Sequence, residues 1–163
     1  MTAESPRVAV LMGSKSDWEV MKSTSETLKK FQVAHECKVL SAHRTPKEAS
    51  DYVASAQGRG IQVIIAAAGG AAHLAGACAA QTTLPILGVP MEGWALKGLD
   101  ALLSTVQMPP GMPVGTLAIG KPGAINAALL AIQILALADA TLAQKLLDHR
   151  DENRRKILAE TLE

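Results

Sequence analysis

The sequence predicts an α/β fold around a five-stranded parallel sheet. Short apolar runs, each suited to a buried strand, alternate with stretches of helical spacing. The alternation recurs at roughly 25 residues, the rhythm of βαβ units. The chain has 163 residues, 48% hydrophobic and 19% charged. That is the size of one ordinary domain with a closed core, and it excludes a disordered chain.

The elements follow in order. Residues 7–12 (RVAVLM) are apolar with Val at alternate positions and read as the first strand, followed by a turn at 13–16. The spacing of Trp18, Met21, Leu28 and Phe31 places a helix over 16–31. Residues 34–40 form the second strand and 41–45 a loop. Thr45 then serves as cap, Pro46 as first helical residue and Glu48 as partner three residues after the cap, opening a helix to residue 57. Residues 61–67 form the third strand, broken by Gly69 and Gly70, and the alanines of 71–81 make a helix. The fourth strand covers 84–89, a short helix 98–106 and the fifth strand 114–119. A strongly apolar helix covers 124–138, and a charged helix 141–162 ends the chain. Such units fit a flavodoxin-like three-layer sandwich with strand order 2-1-3-4-5. One domain spans 1–163, with its core over 7–140 and a C-terminal helical extension over 141–162.

Composition narrows the function. Lys plus Arg is 16 and Asp plus Glu 15, so a net charge of +1 supplies no general drive toward nucleic acid or an anionic membrane. The two cysteines, Cys37 and Cys78, fall in no disulfide or zinc pattern. The N-terminal apolar run is too short for a signal peptide, and no stretch reaches the roughly 18 to 20 residues of a membrane helix. A cytoplasmic chain is expected. Aromatics are limited to Trp18, Phe31, Tyr52 and Trp94, and small side chains bury little area each. Burial between subunits would compensate, so a homo-oligomer is expected.

In an open parallel sheet, ligands bind beyond the carboxyl ends of the strands where strand order reverses. Here that crevice lies between strands 1 and 3, with strand 2 alongside. The three loops meeting there are GSKSD (13–17), SAHRTP (41–46) and AGGAAH (68–73), the most chemically loaded in the chain. In the first, Ser14 and Ser16 offer hydroxyls at a helix N-terminus that favours an anion, and Asp17 suits a pair of sugar hydroxyls. The structural alternative is Ser16 as a cap and Asp17 as a favourable first-turn charge. In the second, Arg44 suits phosphate and His43 suits proton exchange near neutral pH; the alternatives are a surface ion pair and an exposed loop histidine. In the third, Gly69 and Gly70 let backbone approach a ligand. His73, in the first turn of the next helix, is open to a structural role, bonded to a backbone carbonyl. A metal site on His43 and His73 lacks an evident third ligand. His35 and His149 suggest no role.

These loops closely resemble the signature segments of the N5-carboxyaminoimidazole ribonucleotide mutase family of purine biosynthesis, usually called PurE. The segments are GSKSDW (13–18), SAHRTP (41–46) and AGGAAHL (68–74), with LGVP (87–90), VQMP (106–109), PVGTLAIGK (113–121) and NAALLA (126–131) beyond them. The resemblance implies a flavodoxin-like homo-octamer that moves a carboxylate from an exocyclic nitrogen to ring carbon 4 of its ribonucleotide substrate, with no metal, ATP or organic cofactor. It implies that His43 is catalytic, that Ser14 and Asp17, with Ser16 beside them, bind the nucleotide, and that Arg44 binds its phosphate. Ser41 joins the expected substrate contacts, and the backbone of Gly69, Gly70 and Ala71, with His73, is expected to hold the migrating carboxylate. Two departures stand out. The family continues AHL with Pro-Gly-Met, whereas this chain reads His73-Leu74-Ala75-Gly76-Ala77, which relaxes the helix and shortens a side chain near the crevice. Trp94 stands where small residues are common and is open to two readings, a lid or an interface residue. The nearest rival function is an aminoimidazole ribonucleotide carboxylase using free carbon dioxide. A non-catalytic nucleotide-binding module is the rival of a different class.

Overall fold

The computed structural model describes residues 5–162. The two ends of the single domain expected over 1–163, and the start of the N-terminal run weighed as a signal peptide, lie outside the described residues. The strands are β1 (Val8–Met12), β2 (His35–Val39), β3 (Val63–Gly69), β4 (Ile86–Met91) and β5 (Gly115–Thr116). The helices are α1 (Trp18–Lys30), α2 (Pro46–Ala56), α3 (Leu74–Ala79), α4 (Leu99–Val106), α5 (Lys121–Ala136) and α6 (Ala140–Leu158). All strand pairs are parallel and the order is β2-β1-β3-β4-β5, as the alternation of runs predicts.

Alternation within each strand builds two cores. Val8, Val10 and Met12 of β1 and Val63, Ile65 and Ala67 of β3 face α1 and α5, where Met21, Leu28, Ala127, Ala131 and Ile132 are buried. Ala9, Leu11, Ile64 and Ala66 face the other way, onto Val53, Leu74 and Cys78 of α2 and α3. Small residues set the spacing of that second layer. A Cβ on Gly88 would fall 2.4 Å from Thr105 Cγ2, so α4 approaches β4 only because glycine stands there. With helices on both faces, β1 and the first five residues of β3 are buried, which is why their runs are apolar rather than alternating.

α1 ends in a Schellman turn without glycine. Gln32 adopts φ +61°, Val33 N donates to Leu28 O and Gln32 N to Lys29 O, and Leu28 and Val33 are both buried. Of the four apolar positions that predict α1, Trp18 is exposed and the other three are buried. α6 joins the domain through its first half. Leu142 is buried in the first core, Asp139 caps the helix by accepting from Leu142 N at 3.1 Å, and the Asp139 carboxylate also accepts from Arg7 Nη1 at 3.0 Å.

Several expected boundaries shift. β5 is two residues, not six: Leu117 N donates to Gly88 O and Gly120 N to Pro90 O, so the edge segment follows β4 without a continuous ladder. α3 is six residues and starts at Leu74, because Gly70 at φ +62° turns the chain before the helix can begin. Gly69 does not break β3 but ends it, paired with Met91. The Thr45 side chain does not cap α2; its hydroxyl turns back to Ser41 and leaves Glu48 without the reciprocal bond.

Candidate active site

β1, β2 and β3 end side by side, and the loops that follow them close around a cavity of about 490 Å³. Its lining includes Ser14, Ser16, Asp17, Ser41, His43, Arg44, Gly69, Gly70, Ala71 and His73, so the structure brings all ten sequence-predicted site residues to one place.

The first loop is a capping box. Ser14, not Ser16, is the cap: its hydroxyl accepts from Ser16 N at 3.3 Å and from the Ser16 hydroxyl at 2.9 Å. Asp17 reaches back and accepts from Ser14 N at 3.0 Å. Burial raises the Asp17 carboxyl above its ordinary range, and the Ser14 N–H and the Arg44 charge only partly offset that. The remaining carboxylate lone pairs and the two hydroxyls line the cavity at the start of α1, where helix N–H groups favour an anion.

The second loop is held by its own polar atoms. Ser41 Oγ accepts from Arg44 N at 3.1 Å and His43 N at 3.3 Å, while Thr45 Oγ1 accepts from Ser41 N at 2.9 Å. Arg44 is exposed, and its Nη2 donates to Gly13 O at 2.7 Å, tying this loop to the first. Among the described residues Arg44 forms no salt bridge, so the surface ion pair weighed for it is not formed. Its guanidinium keeps donors for an anion.

The third loop brings His73 to His43. Their Nδ1 and Nε2 atoms lie 2.8 Å apart, with rings near perpendicular at 89°. His73 stands at the N-terminal boundary of α3 rather than inside its first turn, and its described partner is a side chain, not a backbone carbonyl. Among the described residues, no group of three or more His, Cys, Asp or Glu side chains is arranged to hold a metal.

Sequence reasoning missed one neighbour of the site. Ser104 of α4 anchors the third loop: its hydroxyl accepts from Ala72 N at 2.9 Å and donates to Asp100 O at 2.8 Å. No local pattern marks it, because the contact spans 32 positions. Trp94, noted in sequence as a lid or interface residue, lines the cavity together with Glu92, Gly93 and the last residue of β4, Met91. One expectation is corrected. Ala77 does not face the crevice but a separate groove of about 220 Å³ between α2 and α3, so the missing methionine does not reshape the cavity lining.

Comparison with known proteins agrees with this geometry. Residues 7–156 match the family model described as AIR carboxylase. The chain is 56% identical over 153 residues to the N5-carboxyaminoimidazole ribonucleotide mutase of Vibrio parahaemolyticus, covering 94% of this chain and 95% of that one. It is 55% identical over 156 residues to the protein of that name in Bacillus subtilis, covering 96% of each. A crystal structure of Treponema denticola PurE superposes with a TM-score of 0.85 at 26% identity, covering 94% of both chains. With its fold, its three cavity loops and nearly its whole length accounted for, the chain belongs to the AIR carboxylase family.

Proposed function

We propose that this chain catalyses the mutase reaction, converting N5-carboxyaminoimidazole ribonucleotide to 4-carboxy-5-aminoimidazole ribonucleotide in purine biosynthesis. The observation that carries this reading is the His43–His73 contact, set in one cavity with Arg44, the serine turn and Asp17. The relatives that carry the mutase name at 55 to 56% identity support it.

Each group has a task. Arg44 and the hydroxyls of Ser14 and Ser16 hold the 5′-phosphate at the start of α1. Asp17 accepts from the ribose hydroxyls, and Ser41 keeps His43 and Arg44 in place. The carbamate N–C bond breaks, its electron pair stays on nitrogen, and His43 protonates that nitrogen. Carbon dioxide is then attacked by ring carbon 4, and His43 takes back the proton displaced from that carbon. One proton goes from His43 to nitrogen and another comes to His43 from carbon 4, so His43 ends the cycle in its starting state and the proton count closes. The backbone at Gly69, Gly70 and Ala71, with His73, holds the migrating carboxylate. In this rotamer Nε2 of His43 is engaged by His73, so Nδ1 is the free proton-exchanging atom.

The same reading places the chain in the cytoplasm as a homo-octamer. Leu99, Leu103 and Val106 are exposed at helical spacing along α4, a strip that suits burial against another subunit. Among the described residues, no helix is long and apolar enough to cross a membrane.

The test offers the protein two substrates: fresh N5-carboxyaminoimidazole ribonucleotide, or aminoimidazole ribonucleotide with modest bicarbonate. Rapid product formation from the first alone is expected. Efficient use of the second would assign the carboxylase reaction. Nucleotide binding without turnover of either would assign a binding module.

A further inference from the structure

Trp94 lines the cavity but has no part in the catalytic roles above. Its backbone lies in the left-handed region at φ +57°, and Lys97, three residues on, lies at φ +49°. Bulky L-residues rarely adopt that conformation, and here two do so within one turn. The turn lays the indole against Gly70: a Cβ on Gly70 would meet Trp94 Cζ3 at 2.2 Å. The ring thus touches the backbone assigned to the migrating carboxylate, while the residue as a whole is 81% exposed at the rim of the cavity. It is the largest apolar side chain of a lining that also holds Ser, Asp, His and Arg.

Carbon dioxide carries no charge. Once the N–C bond is broken, the groups that held a carboxylate no longer hold it, and only walls keep it near carbon 4. We propose that the Trp94 indole is that wall, a positioning residue that decides whether carbon dioxide is recaptured or escapes. This inference rests on the reaction proposed above. The bond changes are those already given: N–C breaks and N–H forms with a proton from His43, then C–C forms and C–H breaks with its proton passing to His43. Escape interrupts the sequence after the first bond breaks and leaves aminoimidazole ribonucleotide as the released species.

The experiment measures partition. N5-carboxyaminoimidazole ribonucleotide is given to the wild type, Trp94→Ala and Trp94→Phe. Aminoimidazole ribonucleotide released and carboxylated product formed are both quantified, after subtracting the rate without protein. Trp94→Ala is expected to raise release relative to product at least tenfold, and Trp94→Phe to restore most of the retention. An unchanged ratio in Trp94→Ala, even with slower turnover or altered assembly, would overturn the proposal and make Trp94 an interface or structural residue. A second measurement needs no variant. A single turnover of wild type in ¹³C-bicarbonate is expected to leave the product unlabelled, and label at the solvent level would overturn retention by any wall. A wild type that forms no product overturns the reaction itself. A wild type that forms product while Trp94→Ala keeps its ratio overturns only the role of Trp94.

Discussion

His43 Nε2 and His73 Nδ1 meet at 2.8 Å although their loops leave β2 and β3, which lie on either side of β1. Two strand spacings separate those ends, about 10 Å, so the imidazoles must reach toward each other over the Gly13 turn. One nitrogen of the contact carries the hydrogen and the other accepts it. Each state of His43 therefore constrains the tautomer of His73.

Removing that partner should slow the chemical step more than it weakens binding. His73→Phe keeps a ring but no acceptor or donor. The lost hydrogen bond is worth about 1 to 2 kcal/mol, which corresponds to roughly 5- to 30-fold in kcat. KM should change little, because the phosphate contacts remain, and His73→Gln should recover part of the loss. Steady-state kinetics on both variants check this; an unchanged kcat in His73→Phe would show that the contact plays no part in turnover.

Asp17 should give substrate binding an acid limb at higher pH than an exposed aspartate would. Burial raises its carboxyl above the ordinary 3.8, so it gains its proton earlier on acidification than an exposed aspartate. Once protonated it loses acceptor capacity for the ribose and for Ser14 N–H. KM should therefore rise as pH falls through the raised value, and Asp17→Asn should show a high KM that varies little over the same range. The sign for folding is opposite to that of a salt-bridged carboxylate. The group's contribution to stability is fully present below its unfolded value and is lost as pH rises through the folded one. The pH dependence of KM in the two proteins checks the first expectation, and urea unfolding against pH checks the second.

Gly70 and Trp94 should be energetically coupled. Gly70→Ala places a methyl 2.2 Å from the indole and a side chain at φ +62°. The conformational part costs about 1 to 2 kcal/mol whatever stands at 94. The clash part disappears in the Trp94→Ala background. A double-mutant cycle by denaturant unfolding, at one fixed protein concentration, should return a coupling of about 1 kcal/mol or more. Additive effects would show that the ring does not rest on Gly70.

Local patterns account for much of this fold. The apolar runs at Val8–Met12 and Val63–Gly69 are central strands covered by helices on both faces, and their order follows from the βαβ rhythm. The meeting of the three loops follows from that order, which is why the ten residues named from sequence line one cavity. What failed was set by contacts distant in sequence. Thr45 looks like a cap by its neighbours, yet its hydroxyl is spent on Ser41. The fifth strand shrinks to Gly115–Thr116 because an edge segment has one partner and can leave it. Trp94 stood out in the sequence, but its seat on Gly70 did not, and Ser104 did not stand out at all. Both contacts, Ser104 to Ala72 and Trp94 to Gly70, are made by the fold between residues distant in sequence.

The most direct test of the account is the turnover of N5-carboxyaminoimidazole ribonucleotide by His43→Asn. Asparagine keeps polarity at the position but cannot exchange a proton near neutral pH. The account predicts a kcat lower by roughly 10²- to 10⁴-fold, the usual worth of a general acid–base group. Affinity for aminoimidazole ribonucleotide should hold, because Arg44, Ser14 and Asp17 are untouched. A His43→Asn protein that turns over at the wild-type rate would contradict the assignment of proton transfer to His43 and the mechanism built on it.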